Sequence, residues 1–169
     1  MMRIISRTLR LPAAVTVLSY MAAVCALTWL TVDNHLGDQL YGKLLMLLMA
    51  FPVSLATLPT DSWLRVTLIG EPAVDITFWD YFLLAWPGVV LAIILTLLLI
   101  RQRTRIAGQV LSRLLAGVVI LAGLAITFDG WAPRRPYGWP LLVCGLGMVI
   151  GLLANRTDVP KNTAAKSEP

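Results

Sequence analysis

The sequence predicts an all-α integral membrane protein, a polytopic helical bundle of four transmembrane spans plus one short re-entrant or interfacial helix. Composition is the first reason. Charged residues make up 14% of the 169 positions and hydrophobic ones 58%, with a mean hydropathy of +0.78, whereas soluble domains carry about a quarter charged residues. The second reason is a set of long uncharged runs without strand alternation. In hydrocarbon no water reaches the peptide groups, so such a run must close its hydrogen bonds within itself as a helix. The third is that basic residues bracket these runs. They account for the net charge of +5 without a nucleic-acid surface, which would line arginines along one face among aromatics.

The segment from Phe78 to Arg105 organises the rest. Leu83 to Ile100 contains no ionisable side chain. With the Phe78 to Phe82 entrance it is long enough, at about 1.5 Å per residue, for a hydrocarbon core of about 30 Å. Phe78, Trp79, Tyr81 and Phe82 suit one interface, and Arg101, Arg103 and Arg105 the cytoplasmic boundary opposite. Within this span Trp86-Pro87-Gly88 marks a kink, because proline removes a helical donor and crowds the preceding turn.

The first span runs from Leu11 to Val32, behind Arg3, Arg7 and Arg10, with Pro12 in its first turn. Cleavage as a signal peptide near Val24 and Ala26 is the rival reading, but the apolar run continues through Trp29 to Val32. Residues 33–77 are expected to form an outer cap. It opens with Asp33, His35 and Asp38, a polar loop with too few converging ligands for a metal site. Leu44 to Leu58 follows, fifteen uncharged residues interrupted by Pro52, which as a helix reach only about 22 Å.

Charge asymmetry decides how this short helix is threaded. If it does not cross, Arg3, Arg7, Arg10, Arg101, Arg103, Arg105, Arg113, Arg156, Lys161 and Lys166 all lie inside, leaving Lys43, Arg65, Arg134 and Arg135 outside. If it crosses, giving five spans, the basic residues are divided almost evenly. The uncrossed arrangement is favoured. It also gathers Asp33, Asp38, Asp61, Glu71, Asp75, Asp80 and Asp129 at the outer face, which becomes net negative. The third and fourth spans then cover about residues 107–128 and 137–154, joined by a connector with Pro133, Pro136 and Pro140 among Trp131, Tyr137 and Trp139. Residues 155–169 form a polar tail, expected to be disordered. Cys25 and Cys144 lie inside apolar runs as packing residues.

Helices in lipid gain no hydrophobic advantage from touching, so small residues that admit close backbone approach mark the contacts. Gly147 with Gly151, Gly123 with Thr127, and Ala22 with Ala26 are the expected packing pairs. A homodimer through Gly147 and Gly151 is the sharper version of the same reading.

The apolar runs hold no ionisable residue at the depths where transporters place them. For an enzyme the outer candidates are His35, Ser54, Thr57, Thr60 and Ser62, yet no GxSxG, HExxH, CxxC or phosphate-cradling glycine loop occurs. The neighbourhoods Phe51-Pro52-Val53-Ser54 and Thr60-Asp61-Ser62 resemble those of small four-span membrane proteins of unknown function found in actinobacteria. That resemblance implies a four-span fold and no particular activity. The expectation is a non-catalytic protein of the cell (plasma) membrane without cofactors, its N- and C-termini cytoplasmic. Its partners would be the lipid bilayer and either another membrane protein or further copies of itself. A small oligomeric transporter or channel component is the alternative.

Overall fold

The computed structural model describes residues 11–55 and 78–157. These form helices α1 (Leu11–Val32), α2 (Gln39–Met49), α3 (Phe78–Ile100), α4 (Arg105–Thr127) and α5 (Gly138–Thr157), with single 3-10 segments at Gln102–Thr104 and Ala132–Tyr137. Four helical stretches, Leu11–Val32, Tyr81–Ile100, Arg105–Thr127 and Ala132–Ala154, are long and apolar enough to cross a membrane. The chain is therefore a multi-pass helical membrane protein, the class its composition predicts. Arg3, Arg7, Arg10, residues 56–77 of the expected outer cap with Arg65 among them, and the polar tail beyond Thr157 lie outside the described residues.

Each helix end has a local cause. α1 stops in a six-to-one turn: His35 N donates to Leu30 O at 3.1 Å and Asn34 N to Thr31 O at 3.3 Å, with Asn34 left-handed at φ 57°. Asparagine tolerates that conformation where most side chains do not. Asp38 then caps α2, its carboxylate accepting from Leu40 N at 2.8 Å, so the short helix begins at Gln39, ahead of the expected Leu44. It ends at Met49, before Phe51-Pro52, because the residue preceding a proline is disfavoured in helical conformation. α4 and α5 likewise start and stop within a few residues of the expected spans.

The helices close into a ring. α1 packs most extensively on α5 and then on α3, α4 packs on α5 and α3, and α2 lies against α1, α4 and α3. The α1 stripe Thr16, Tyr20, Ala23, Val24, Leu27, Leu30 and Thr31 is buried at helical spacing. It meets Leu91, Leu95, Leu115, Val119, Ile126, Leu141 and Met148 from the other spans. The outward faces are apolar too: Leu18, Ile93, Leu97, Leu121, Val143, Leu146 and Ile150 are all exposed. An apolar perimeter around an apolar core suits hydrocarbon on the outside.

Contacts along the ring order its two ends. A Cβ on Gly151 would lie 2.9 Å from Pro12 O, and one on Gly147 would lie 2.5 Å from Ser19 Oγ, so the late turns of α5 sit beside the first turns of α1. Tyr81, in the first span-forming turn of α3, donates its hydroxyl to Asp33 Oδ1 at the far end of α1. The loops 33–38 and 129–137 thus share one end, and Leu11, the 101–104 turn and Thr157 share the other.

Candidate functional site

At the loop-bearing end, three separate chain segments are tied by one side chain. Arg134 Nη1 donates to Asp129 Oδ2 at 2.7 Å, while its Nε donates to the carbonyl of Leu36 in the α1–α2 loop. Its guanidinium carbon stands 4.7 Å from the Trp131 ring centre and 5.0 Å from that of Tyr41 on α2. A planar fork with aromatic neighbours holds all four at once, which a lysine ammonium does not. Gly37 completes the seam: its φ is 66°, and the Trp131 ring occupies the space a side chain would need. Next to this knot His35 lies between Trp29 and Tyr137, with ring centres 4.7 and 5.2 Å away, and its Nδ1 donates to Asp33 O at 3.1 Å.

The Arg134 hydrogen bond holds the Asp129 carboxyl below the ordinary carboxylate range, against the smaller opposing effect of desolvation. The Tyr41 phenol is pushed up by burial first and by the Asp129 charge second, with Arg134 opposing. Each described carboxylate side chain at this end therefore has an architectural task. Asp33 accepts from Tyr81, Asp38 caps α2, and Asp129 pairs with Arg134.

A second unusual feature is the buried end of α2. The helix starts beside Thr31, where Gly42 admits close contact, and descends until Met49 O accepts the Tyr20 hydroxyl at 3.1 Å. Tyr20 lies twelve residues before the end of α1, and at about 1.5 Å per residue that puts its backbone about 18 Å below the cap. α2 is thus a half-span that descends along the bundle, burying Gly42, Leu45, Met46 and Met49 while Leu40, Leu44 and Leu48 stay exposed. Its terminal carbonyls are all engaged there: Met46 O by Ala50 N at 2.9 Å, Leu47 O by Ser54 Oγ at 2.7 Å, Leu48 O by Phe51 N at 3.3 Å and Ala50 O by Ser54 N at 3.0 Å. Broken helices in transporters offer such carbonyls to ions. Here protein donors take them up.

Among the described residues the remaining buried hydroxyls are also internally satisfied. Thr16, Thr28, Thr31 and Ser112 donate to the carbonyls of Pro12, Val24, Leu27 and Gly108, four residues back on their own helices, at 3.0, 2.8, 2.7 and 2.7 Å.

Of the residues singled out in the sequence, Gly147 and Gly151 face α1, Gly123 faces Leu142 of α5, and Ala26 packs on the core. Ala22 is exposed, because the buried stripe of α1 passes through Tyr20, Ala23 and Val24 instead. Arg101 and Arg103 are exposed in the turn at the opposite end from the cap and Arg105 is half-buried at the start of α4, whereas Arg113 is exposed two turns into α4, inside the span and not in the turn. Ser54 closes the α2 terminus; Thr57, Thr60 and Ser62 lie outside the described residues. Among the described residues no three His, Cys, Asp or Glu side chains converge. Sequence reasoning did not assign these contacts to Tyr20, Tyr81 or Arg134, because Met49, Asp33 and Leu36, their respective partners, are remote in sequence. The available signals were a tyrosine in mid-span and an outer arginine flanked by Asp129, Trp131 and Tyr137.

Compared with protein-family models, curated proteins and solved structures, the chain matches none of them.

Proposed function

We propose that the protein is a non-catalytic subunit of the cell (plasma) membrane, an accessory or regulatory partner that presents its loop-bearing end to another protein. The N- and C-termini and the 101–104 turn face the cytoplasm, and the Asp33, Asp129 and Arg134 end faces outward. The carrying observation is the Arg134 knot. It clamps the α1–α2 loop, α2 and the α4–α5 connector into one preformed surface, and preformed surfaces bind with less ordering cost. Asp33 and Asp38 add acidic side chains beside this surface, so a partner with a basic patch is favoured.

A photo-crosslinking residue placed at Asn34 or Arg135, both exposed at the cap, tests this in intact membranes. The expected product is one discrete adduct with a different protein from either position, and none from Ile150 on the lipid-facing side. The second reading, a small oligomeric transporter or channel, draws on the half-span α2. It predicts self-adducts of regular stoichiometry and ion flux in liposomes, and that pair of results would replace the first reading.

A further inference from the structure

At the end opposite the cap, Ile94, Leu97, Leu98, Arg101 and Thr104 line an open cleft of about 370 Å³, within the range of small-ligand sites. Ile94, Leu97 and Leu98 lie along one face of α3 and Arg101 follows just past its end, so the cleft runs about 10 Å from the interior of the leaflet to its boundary. Its walls are apolar and its mouth carries a guanidinium. The turn that forms the mouth is braced by main-chain and hydroxyl bonds: Arg101 N donates to Leu97 O at 3.1 Å, Thr104 N to Arg101 O at 3.2 Å, and Thr104 Oγ1 to Leu98 O at 3.2 Å.

Charge is segregated around this cleft. Arg101, Arg103 and Arg105 belong to this end, while the acidic residues whose side chains are described, Asp33, Asp38 and Asp129, all belong to the other. A molecule seated here must therefore be apolar along its length and anionic at its head. Ile94 and Leu97 are 37% and 58% exposed on the perimeter that faces hydrocarbon, so it must also arrive from within the membrane.

We propose that this cleft is a binding site for one anionic glycerophospholipid. An acyl chain lies against Ile94, Leu97 and Leu98, and the phosphodiester is bound by Arg101. Arginine suits a phosphate because its planar fork donates two parallel hydrogen bonds. The site is independent of the proposed role of the cap and of which leaflet this end occupies.

Native mass spectrometry of the purified full chain, loaded in turn with phosphatidylglycerol and phosphatidylcholine of matched acyl chains, tests the proposal. One phosphatidylglycerol should be retained per chain in preference to phosphatidylcholine. Arg101→Gln should lower that retention about fivefold, the effect of one interfacial cationic side chain. Leu97→Trp, which fills the cleft without changing charge, should lower it comparably. Arg113→Gln, an equal charge change at a residue that does not line the cleft, should alter it less than twofold. Equal retention of the two lipids would overturn the proposal. So would an Arg113→Gln loss matching that of Arg101→Gln while Leu97→Trp is silent, since diffuse attraction then suffices. A Leu97→Trp variant that only changes the number of associated chains would assign the cleft to a second copy and overturn it as well.

Discussion

The Tyr20 hydroxyl donates to the Met49 carbonyl at 3.1 Å, joining the middle of α1 to the buried end of α2. Both residues are fully buried. A main-chain carbonyl there, stripped of its donor, has no water to turn to. Tyr20→Phe keeps the ring and removes only the hydrogen bond, so it should destabilise the protein by about 1–3 kcal/mol. Reversible unfolding in mixed detergent micelles measures this. An unchanged midpoint would mean that α2 is held by side-chain packing alone.

The α1–α5 contact should discriminate among glycines. A methyl group on Gly151 meets the main-chain Pro12 O, which can yield only if the helices part, whereas on Gly147 it meets the Ser19 hydroxyl, which can rotate. Gly151→Ala should therefore cost about 1–3 kcal/mol, and Gly147→Ala less. At Gly117 an added Cβ meets nothing within 4 Å, so Gly117→Ala should stabilise the helix by about 0.5–1 kcal/mol. The same unfolding assay ranks all three; a uniform loss would contradict the close approach at Gly151.

Acid should loosen the cap. Because Arg134 lowers the Asp129 pKa, the carboxylate contributes stability that is fully present above its unfolded value of about 4 and is lost as pH falls through the lower folded value. Stability of the wild type should decline across that acidic interval, and Asp129→Asn should flatten this part of the profile while lowering the plateau above it. Arg134→Lys should not restore the wild-type midpoint, because an ammonium cannot donate to Asp129 and Leu36 while lying between Trp131 and Tyr41. Thermal unfolding followed from pH 7 downward, by about one pH unit at a time, reads both.

Sidedness has its own test. Asn34→Cys and Arg103→Cys, in a Cys25→Ala and Cys144→Ala background, place single thiols at opposite ends of the bundle. In intact cells an impermeant maleimide should label Asn34→Cys and spare Arg103→Cys until the membrane is opened. Labelling of Arg103→Cys from outside would invert the proposed orientation.

The spans were legible because a membrane imposes one dominant constraint on local sequence, an uninterrupted apolar run, and Leu11–Val32 and residues 83–100 carry it in full. α2 was only half legible. Its interruption at Pro52 and its insufficient length for a crossing could be read, but its start depends on the Asp38 cap and its depth on Tyr20, a partner 29 residues away in sequence. The cap resisted for a related reason. Arg134 counts as one outer positive charge in a tally of loops, yet its partners lie on three segments and include a main-chain oxygen at Leu36, which leaves no mark on side-chain identity.

The half-span also bears on how the protein is made. With 11 residues, α2 is shorter than the stretch of about 17–25 that an inserting helix needs, so it has no stable place in hydrocarbon by itself. It can settle only once neighbours already threaded through the bilayer offer it Thr31, Tyr20 and the flanks of α3 and α4. Biogenesis is thereby ordered: long helices are laid down first, and the short one docks afterwards as a tertiary step.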